Sequence, residues 1–333
     1  MTRGYPGDLM TPYFSVAVIN QDTIAGIETL HIRTKDRFHK WQHLLSRQTI
    51  NLFARTLDRY LSKRPHLDFD HPSNHVRRIV HFPPAFQAWT AYMPGGFATY
   101  SVHNPDHKRL YNGKKIDYIT RNLFRHSLDA IGLRSRAYTM AWFVHFAMRS
   151  RKHINWVSVA AGTGQPVFDA ARILVAETTF YLCDRDSEAL RFARQLAKTY
   201  DITDDYLFTS RFDVTREGVL EKMIDDTGAD VVDAMGFFEY LDDDQMVTVL
   251  AIVNNTLKSD GIFLFSNMLD SRRQLNLHRR GMGWPDVIVR SPEVVASLMD
   301  KAGIAKNRRM LLLPDDGVYG VYVVKGAGRR YVE

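Results

Sequence analysis

Hydrophobic positions in the second half of the chain gather in short continuous runs separated by amphipathic stretches. The runs 156–160, 179–183, 207–212, 229–235, 261–267, 309–313 and 318–324 have strand length and are rich in Val, Ile, Leu and Phe. Between them, 166–176, 187–199, 216–226, 243–257 and 291–302 carry apolar residues at helical spacing. Strand and helix alternating this often predict an α/β fold, a parallel sheet with helices on both faces. The last two runs are joined only by "PDDG" (314–317), too short for a crossover helix. They are therefore predicted to pair as an antiparallel hairpin, giving seven strands with an antiparallel last one.

The texture before residue 151 is different. Residues 36–62 place Phe38, Trp41, Leu44, Leu45, Ile50, Phe53, Leu57 and Leu61 three and four apart, an amphipathic helix with Arg and Lys on its other face. Residues 63–75 form a Pro, His and Asp loop. The aromatic run 81–100 is interrupted by Pro83, Pro84, Pro94, Gly95 and Gly96, and is expected to be loops with short strands. Helical spacing resumes at Ile116 and continues to about Met148, with Arg121, Arg125, Arg134 and Arg136 at its polar positions. The expected division is a basic, His-rich helical and loop region over 1–115, linking helices over 116–150 and a ligand-binding domain over 151–333.

Charge follows the same division. Residues 1–150 hold 21 Lys and Arg against 10 Asp and Glu, a formal +11, whereas the remainder carries −4. Eleven of the 13 histidines also lie before residue 151. Such a half suits an anionic partner, whether nucleic acid, a lipid head group or an acidic substrate, or forms a solvated helical surface. The single cysteine, Cys183, excludes an internal disulfide framework and fits a reducing compartment. No stretch of about 18 apolar residues is present, so no transmembrane helix is expected. The segment "MTRGYPGDLM" lacks a signal-peptide core, and the expected location is cytoplasmic.

The candidate chemistry begins at "VSVAAGTGQP" (157–166), a strand running into a glycine turn. A dinucleotide fingerprint needs a third glycine, but Val167 stands there; a P-loop needs Gly-Lys-Ser/Thr, which is absent. Gly162 and Gly164 can still cradle a ligand. The second strand ends in Asp184, 22 positions after Gly162, where a carboxylate can accept both hydroxyls of a ribose. The third ends at Asp213 and Val214, which suit an adenine amino group and its ring. The fourth, "DVVDAMGFFEYL", brings Asp233, Glu239 and Tyr240 to the carboxyl edge, where open α/β sheets bind ligands. Asp186, with Glu188 after it, is the expected N-cap of the next helix.

On these stretches, "VSVAAGTG", "CDRDSEAL", "FDV", "DVVDAMGFFEYL" and "GIFLFSNM", residues 157–324 resemble a class I S-adenosylmethionine-dependent methyltransferase. More narrowly, "SVAAGTGQP", "DAMGFFEYL", the "SNM…GW…RSPEVVASLMDKAGI" stretch and "RGYPGD" (3–8) are similar to bacterial enzymes that make 3-hydroxypalmitic acid methyl ester. The resemblance implies a seven-stranded Rossmann-like methyltransferase sheet with an antiparallel last strand, preceded by a mostly helical N-terminal region. It implies S-adenosyl-L-methionine as cofactor, held by Ala160, Gly162, Gly164, Asp184, Asp213, Val214 and Asp233. Two positions depart from the common pattern: Ser158 replaces an acid and Ala160 the first glycine. The methionine ammonium then needs another partner, a backbone carbonyl of the turn or Asp233.

Beyond the cofactor, Glu239, Tyr240 and His278 are the candidates for taking a proton from the acceptor. Asn267, Trp284 and Arg125 are the candidates for holding it, with Tyr5, Arg121 and Arg136 as further contributors; no metal is implied. The arginines Arg272, Arg273, Arg279 and Arg280 would suit an anionic acceptor or be merely solvated. The leading expectation is O-methylation of a small-molecule or fatty-acid carboxylate. The alternatives are an RNA or DNA methyltransferase gripping phosphate with its basic half, a non-catalytic cofactor-binding scaffold, and a nicotinamide oxidoreductase.

Overall fold

The computed structural model describes residues 7–216 and 218–327. The chain opens with three strands, β1 (Leu9–Met10), β2 (Phe14–Ile24) and β3 (Ile27–Asp36). Six helices follow: α1 (Leu44–Ser62), α2 (His75–Val80), α3 (Pro84–Thr90), α4 (Gly96–His103), α5 (Tyr118–His126) and α6 (Leu128–Met148). Alternation then begins with β4 (His153–Val159), α7 (Gln165–Ala171), β5 (Glu177–Asp184), α8 (Ser187–Lys198), β6 (Leu207–Arg211) and α9 (Val219–Thr227). It continues through β7 (Val231–Ala234), α10 (Asp243–Thr256), β8 (Ile262–Met268), α11 (Pro292–Lys301), β9 (Arg309–Pro314) and β10 (Tyr319–Lys325).

All seven expected strands form, in the order β6-β5-β4-β7-β8-β10-β9. β4 to β8 are mutually parallel, and β10 runs antiparallel between β8 and β9. The sheet nevertheless has ten strands rather than seven, because β3 adds in parallel to β9 and brings β2 and β1 with it. β9 would otherwise present an open row of backbone donors and acceptors, and the hairpin covers it. Burial of Leu30 and Ile32 against this part of the sheet makes the pairing favourable. The N-terminal region is therefore part strand and only part helix.

Two other local expectations are corrected. Residues 81–100 fold mainly as α3 and α4, because Pro84 opens a helix at its first turn and Gly95 caps the next. The long helix from 116 is two helices. Ser127 is extended and its side chain accepts from the Ala130 amide, ending α5 and capping α6. Asp186 caps α8 as expected, accepting from the Glu188 and Ala189 amides.

Helices cover both sheet faces. α6, α7 and α8 pack on one apolar layer, and α9, α10 and α11 on the other. A third cluster joins α3 to α6 with Met282, Trp284 and Tyr319. α6 is buried on almost every side, so its charged residues must find partners. Arg134 does so with its whole guanidinium. Its Nε donates to Asp36 at the end of β3 (2.7 Å), and its terminal nitrogens donate to the carbonyls of Val102, Phe124 and Arg125. Burial alone would raise the Asp36 carboxyl, but Arg134 and His39 hold it well below the usual carboxylate range. No described helix is long and apolar enough to cross a membrane.

Replacing Arg134 by Met takes the donor from Oδ2 of the buried Asp36 carboxylate and from three carbonyls. The expected cost is about 3–5 kcal/mol, read as a lower urea midpoint. Replacing Asp36 by Asn in the same chain should recover part of it.

Candidate functional site

The turn between β4 and α7 is built by three residues in the left-handed region: Ala160 at φ 50°, Gly162 at 54° and Gly164 at 71°. Gly164 is forced by space as well, since a Cβ there would stand 2.8 Å from the Phe168 ring and 2.9 Å from Leu182. At Gly162 a Cβ would meet the Cα of Gly96 at 2.9 Å, because the start of α4 packs backbone to backbone on the turn. The contact is reinforced behind it. Asn104 donates to Gln165 (2.8 Å), the first residue of α7, and Gln165 donates to Asp169 (3.0 Å).

Asp184 ends β5 beside this turn. Its half-buried carboxylate accepts from the Gly162 amide at 2.7 Å and the Asp186 amide at 2.8 Å, and burial raises its pKa against those two bonds. Asp213 is exposed and folds back on Thr215, while Val214 is buried in the core on the α9–α11 side. Asp233 lies fully within the protein and accepts from the Trp156 indole at 2.6 Å. Burial pushes its carboxyl up to about 7, opposed by that hydrogen bond.

At the carboxyl edge of β7 and β8 sits a buried ion pair. Arg136 of α6 donates to Glu239 at 3.0 Å, lies over the Tyr319 ring at 4.4 Å and closes against Gly236. Burial raises the Glu239 carboxyl, with Arg136 pulling the other way. Arg136 Nε and Glu239 Oε2 have no partner among the described residues.

A chain of contacts leads from this pair into the helical half. Tyr240 accepts from the Trp284 indole at 2.7 Å, and Trp284 stacks on His278 with ring centres 5.9 Å apart. His278 Nδ1 lies 2.8 Å from Asp129, which also accepts from Arg272 at 2.7 Å. Burial works against charge on Asp129, yet Arg272 and His278 hold its carboxyl well below the usual range. Burial lowers the pKa of His278 against the pull of Asp129. The neutral ring donates Nδ1–H to Asp129 and leaves Nε2 as a lone pair. Both that nitrogen and Arg272 Nη2 are buried without a partner among the described residues. Ser127, Asp129, Gln274 and Trp284 supply the polar lining of a cavity of about 160 Å³, whose other walls are apolar residues of α1 to α6 together with Pro83, Leu277 and Met282.

The structure thus brings Gly162, Gly164 and Asp184 together at the ends of the neighbouring strands β4 and β5, and Tyr240, Trp284 and His278 along one path. It does not bring Asn267 or Arg125 to them. Asn267 accepts from Arg290 at 3.0 Å, and Arg125 pairs with Asp106. Tyr5 and most of "RGYPGD" lie outside the described residues. Of the arginine run, Arg272, Arg279 and Arg280 are tied to the protein, Arg279 donating to the Val287 carbonyl and Arg280 to the carbonyls of Leu61 and Arg64, while Arg273 is exposed. Asp129 was missed, because only the fold sets it against a histidine 149 residues away. Gly96 carried a signal, the "PGG" triplet, that reads equally as a loop.

No family model matches the chain, and no curated protein matches it. Solved structures do. A possible exported protein from Bordetella parapertussis superposes with a TM-score of 0.59 at 14% identity, over 83% of this chain and 96% of that one. That coverage is greater than the C-terminal domain alone and so takes in part of the N-terminal half. The magnesium protoporphyrin IX methyltransferase of Synechocystis, solved with bound SAH, reaches 0.49 at 11% identity, over 76% of this chain and 99% of its own. An S-adenosylmethionine-dependent methyltransferase from Clostridium acetobutylicum reaches 0.42 at 11% identity, over 59% and 92%.

Two outcomes are expected from this geometry. Gly164→Ala combines a left-handed backbone with a steric clash and should cost about 2–4 kcal/mol in denaturant unfolding. His278, His103 and, down to about 4, His126 all have folded pKa values below the ordinary 6.5. At these histidines the unfolded chain binds protons first, so their share of stability is full above pH 6.5 and declines as the pH falls below it, while Asp233, raised to about 7, acts in the opposite direction. Urea midpoints measured across that range for both chains should show His278→Gln losing less stability on acidification than the unmodified chain.

Proposed function

We propose that the chain is a class I S-adenosylmethionine-dependent methyltransferase that O-methylates a small-molecule or fatty-acid carboxylate. One observation carries the reading. At the carboxyl edge of a sheet with an antiparallel β10, the Asp184 carboxylate is already held beside the glycine turn by the Gly162 amide. A carboxylate so placed suits the two hydroxyls of a ribose.

The residues present fit the cofactor. Asp233 is occupied by Trp156, but Glu239 Oε2 and Arg136 Nε are free among the described residues and complement the ammonium and carboxylate of a methionine end. They would replace the acid that Ser158 lacks. The bound cofactor would supply an electrophilic methyl group on a sulfonium. The protein's own share is alignment and exclusion of water, and near-attack positioning can supply roughly 7–11 kcal/mol. The apolar cavity would receive the body of the acceptor, with its polar end at Asp129, which Arg272 neutralises, and at Gln274. A carboxylate is already ionised and needs no base.

A second reading, a hydroxyl acceptor, is favoured by one feature. The His278 Nε2 lone pair, with Nδ1–H held by Asp129, is arranged to take a proton. The pH profile separates the two. A carboxylate acceptor leaves the rate flat through the titration of His278, whereas a hydroxyl acceptor makes it fall as His278 protonates.

Titration calorimetry with S-adenosylhomocysteine should give heat, and Asp184→Ala should weaken binding roughly ten- to a hundredfold, as expected for charge-assisted hydrogen bonds. Heat with NADH and none with S-adenosylhomocysteine would overturn the cofactor. Incubation with labelled methyl donor and a panel of acyl acids should yield labelled ester; donor bound without any ester defeats the acceptor.

A further inference from the structure

The helices around the outer end of the cavity expose apolar side chains that their own packing does not use. Phe53, Ile79 and Ile119 line the cavity and are also 46%, 47% and 50% exposed, so they form its mouth. Their chain neighbours Leu52, Phe82 and Tyr118 are 68%, 78% and 74% exposed. Single exposed apolar residues are ordinary in soluble proteins, but a cluster from three elements around one opening marks an interaction surface.

Charge selects the partner. Residues 40–82 hold eight Lys and Arg against three Asp, a formal +5. On α1 the two features share one stripe. Leu45, Leu52 and Arg59 are seven residues apart, two helical turns, with Arg55 one turn after Leu52, and all four are exposed. A symmetric contact between two copies would press one positive face against another. An anionic lipid surface instead neutralises the cations while its head-group boundary takes up the apolar side chains.

We propose that this face docks on an anionic bilayer, with the mouth of the cavity opening toward the lipid. An apolar acceptor would then reach the cavity without crossing water. The docking rests on the methyltransferase reading only for what would pass through the mouth.

Co-sedimentation of the full chain with vesicles tests it, using phosphatidylcholine alone and phosphatidylcholine mixed with phosphatidylglycerol, at low and high salt. Binding is expected to be several-fold greater on the anionic vesicles and to fall as salt rises. Leu52→Ser with Phe82→Ser should weaken it, and Arg55→Glu with Arg59→Glu should abolish the preference for anionic lipid. All four side chains are exposed, and unchanged thermal unfolding confirms that the variants fold. Equal binding to both vesicle types, or none, would overturn the proposal. So would a stable dimer by light scattering that the Leu52→Ser, Phe82→Ser variant dissociates while vesicles bind nothing. Calorimetry with S-adenosylhomocysteine on the same samples reads cofactor binding independently, so either reading can fail alone.

Discussion

The guanidinium of Arg134 is the point at which the two halves of the chain are joined. Arginine stays charged in any environment, so once α6 carries it into the interior every donor needs an acceptor. Asp36 supplies the countercharge from the end of β3, and the carbonyls of α4 and α5 take the rest. That one group therefore sets where the hairpin leaves the sheet and where the helices that cover the sheet edge begin. Those helices in turn place Gly96 on the glycine turn and build the wall of the cavity. Two residues along the same helix, Arg136 points to the carboxyl edge of the sheet instead. One helix thus carries both the brace of the scaffold and a cation of the candidate site.

The candidate site holds four of the twelve buried side-chain polar atoms that have no partner among the described residues. A buried polar atom without a partner costs about 1–3 kcal/mol, so folded proteins keep few of them. Arg136 Nε, Glu239 Oε2, Arg272 Nη2 and His278 Nε2 are four such atoms. They occur in two groups joined by the Tyr240–Trp284–His278 contacts, one at the strand ends and one beside the cavity. The pairing of each group with an opposite charge keeps it folded, and the free atom of each is what a ligand could complete.

The legibility of the fold varied by element for physical reasons. The central parallel strands β4, β7 and β8 were readable because both of their faces are buried, which makes their sequences nearly continuous apolar runs. The hairpin of β9 and β10 was readable from a connection too short to cross over. The β2–β3 hairpin was overlooked although Phe14 and Val16 alternate with half-buried residues, since nothing local says that β9 needs an edge covered. Residues 81–100 were misread because proline and glycine start helices as readily as they break strands. In the site, Gly162, Gly164 and Asp184 could be named because their spacing along the chain is itself the geometry of a strand-turn-helix unit. The partners that Asn267 and Arg125 find, Arg290 and Asp106, could not be read from the chain. Whether an exposed-looking polar residue faces a ligand or another arginine depends on packing across the sheet.

Periodicity and punctuation were enough to establish an α/β chain with a glycine turn at the edge of its sheet, a carboxylate one strand away and a basic half set before it. These features are local: each depends on residues within one strand, one helix or one turn, whose backbone preferences are written in neighbouring side chains. The ten-stranded sheet, the approach of Gly96 to Gly162, the Arg136–Glu239 pair and the Asp129–His278–Arg272 cluster arose only on folding. Their partners lie up to 149 positions apart, and they meet because charges taken out of water must find one another wherever the packed helices leave them.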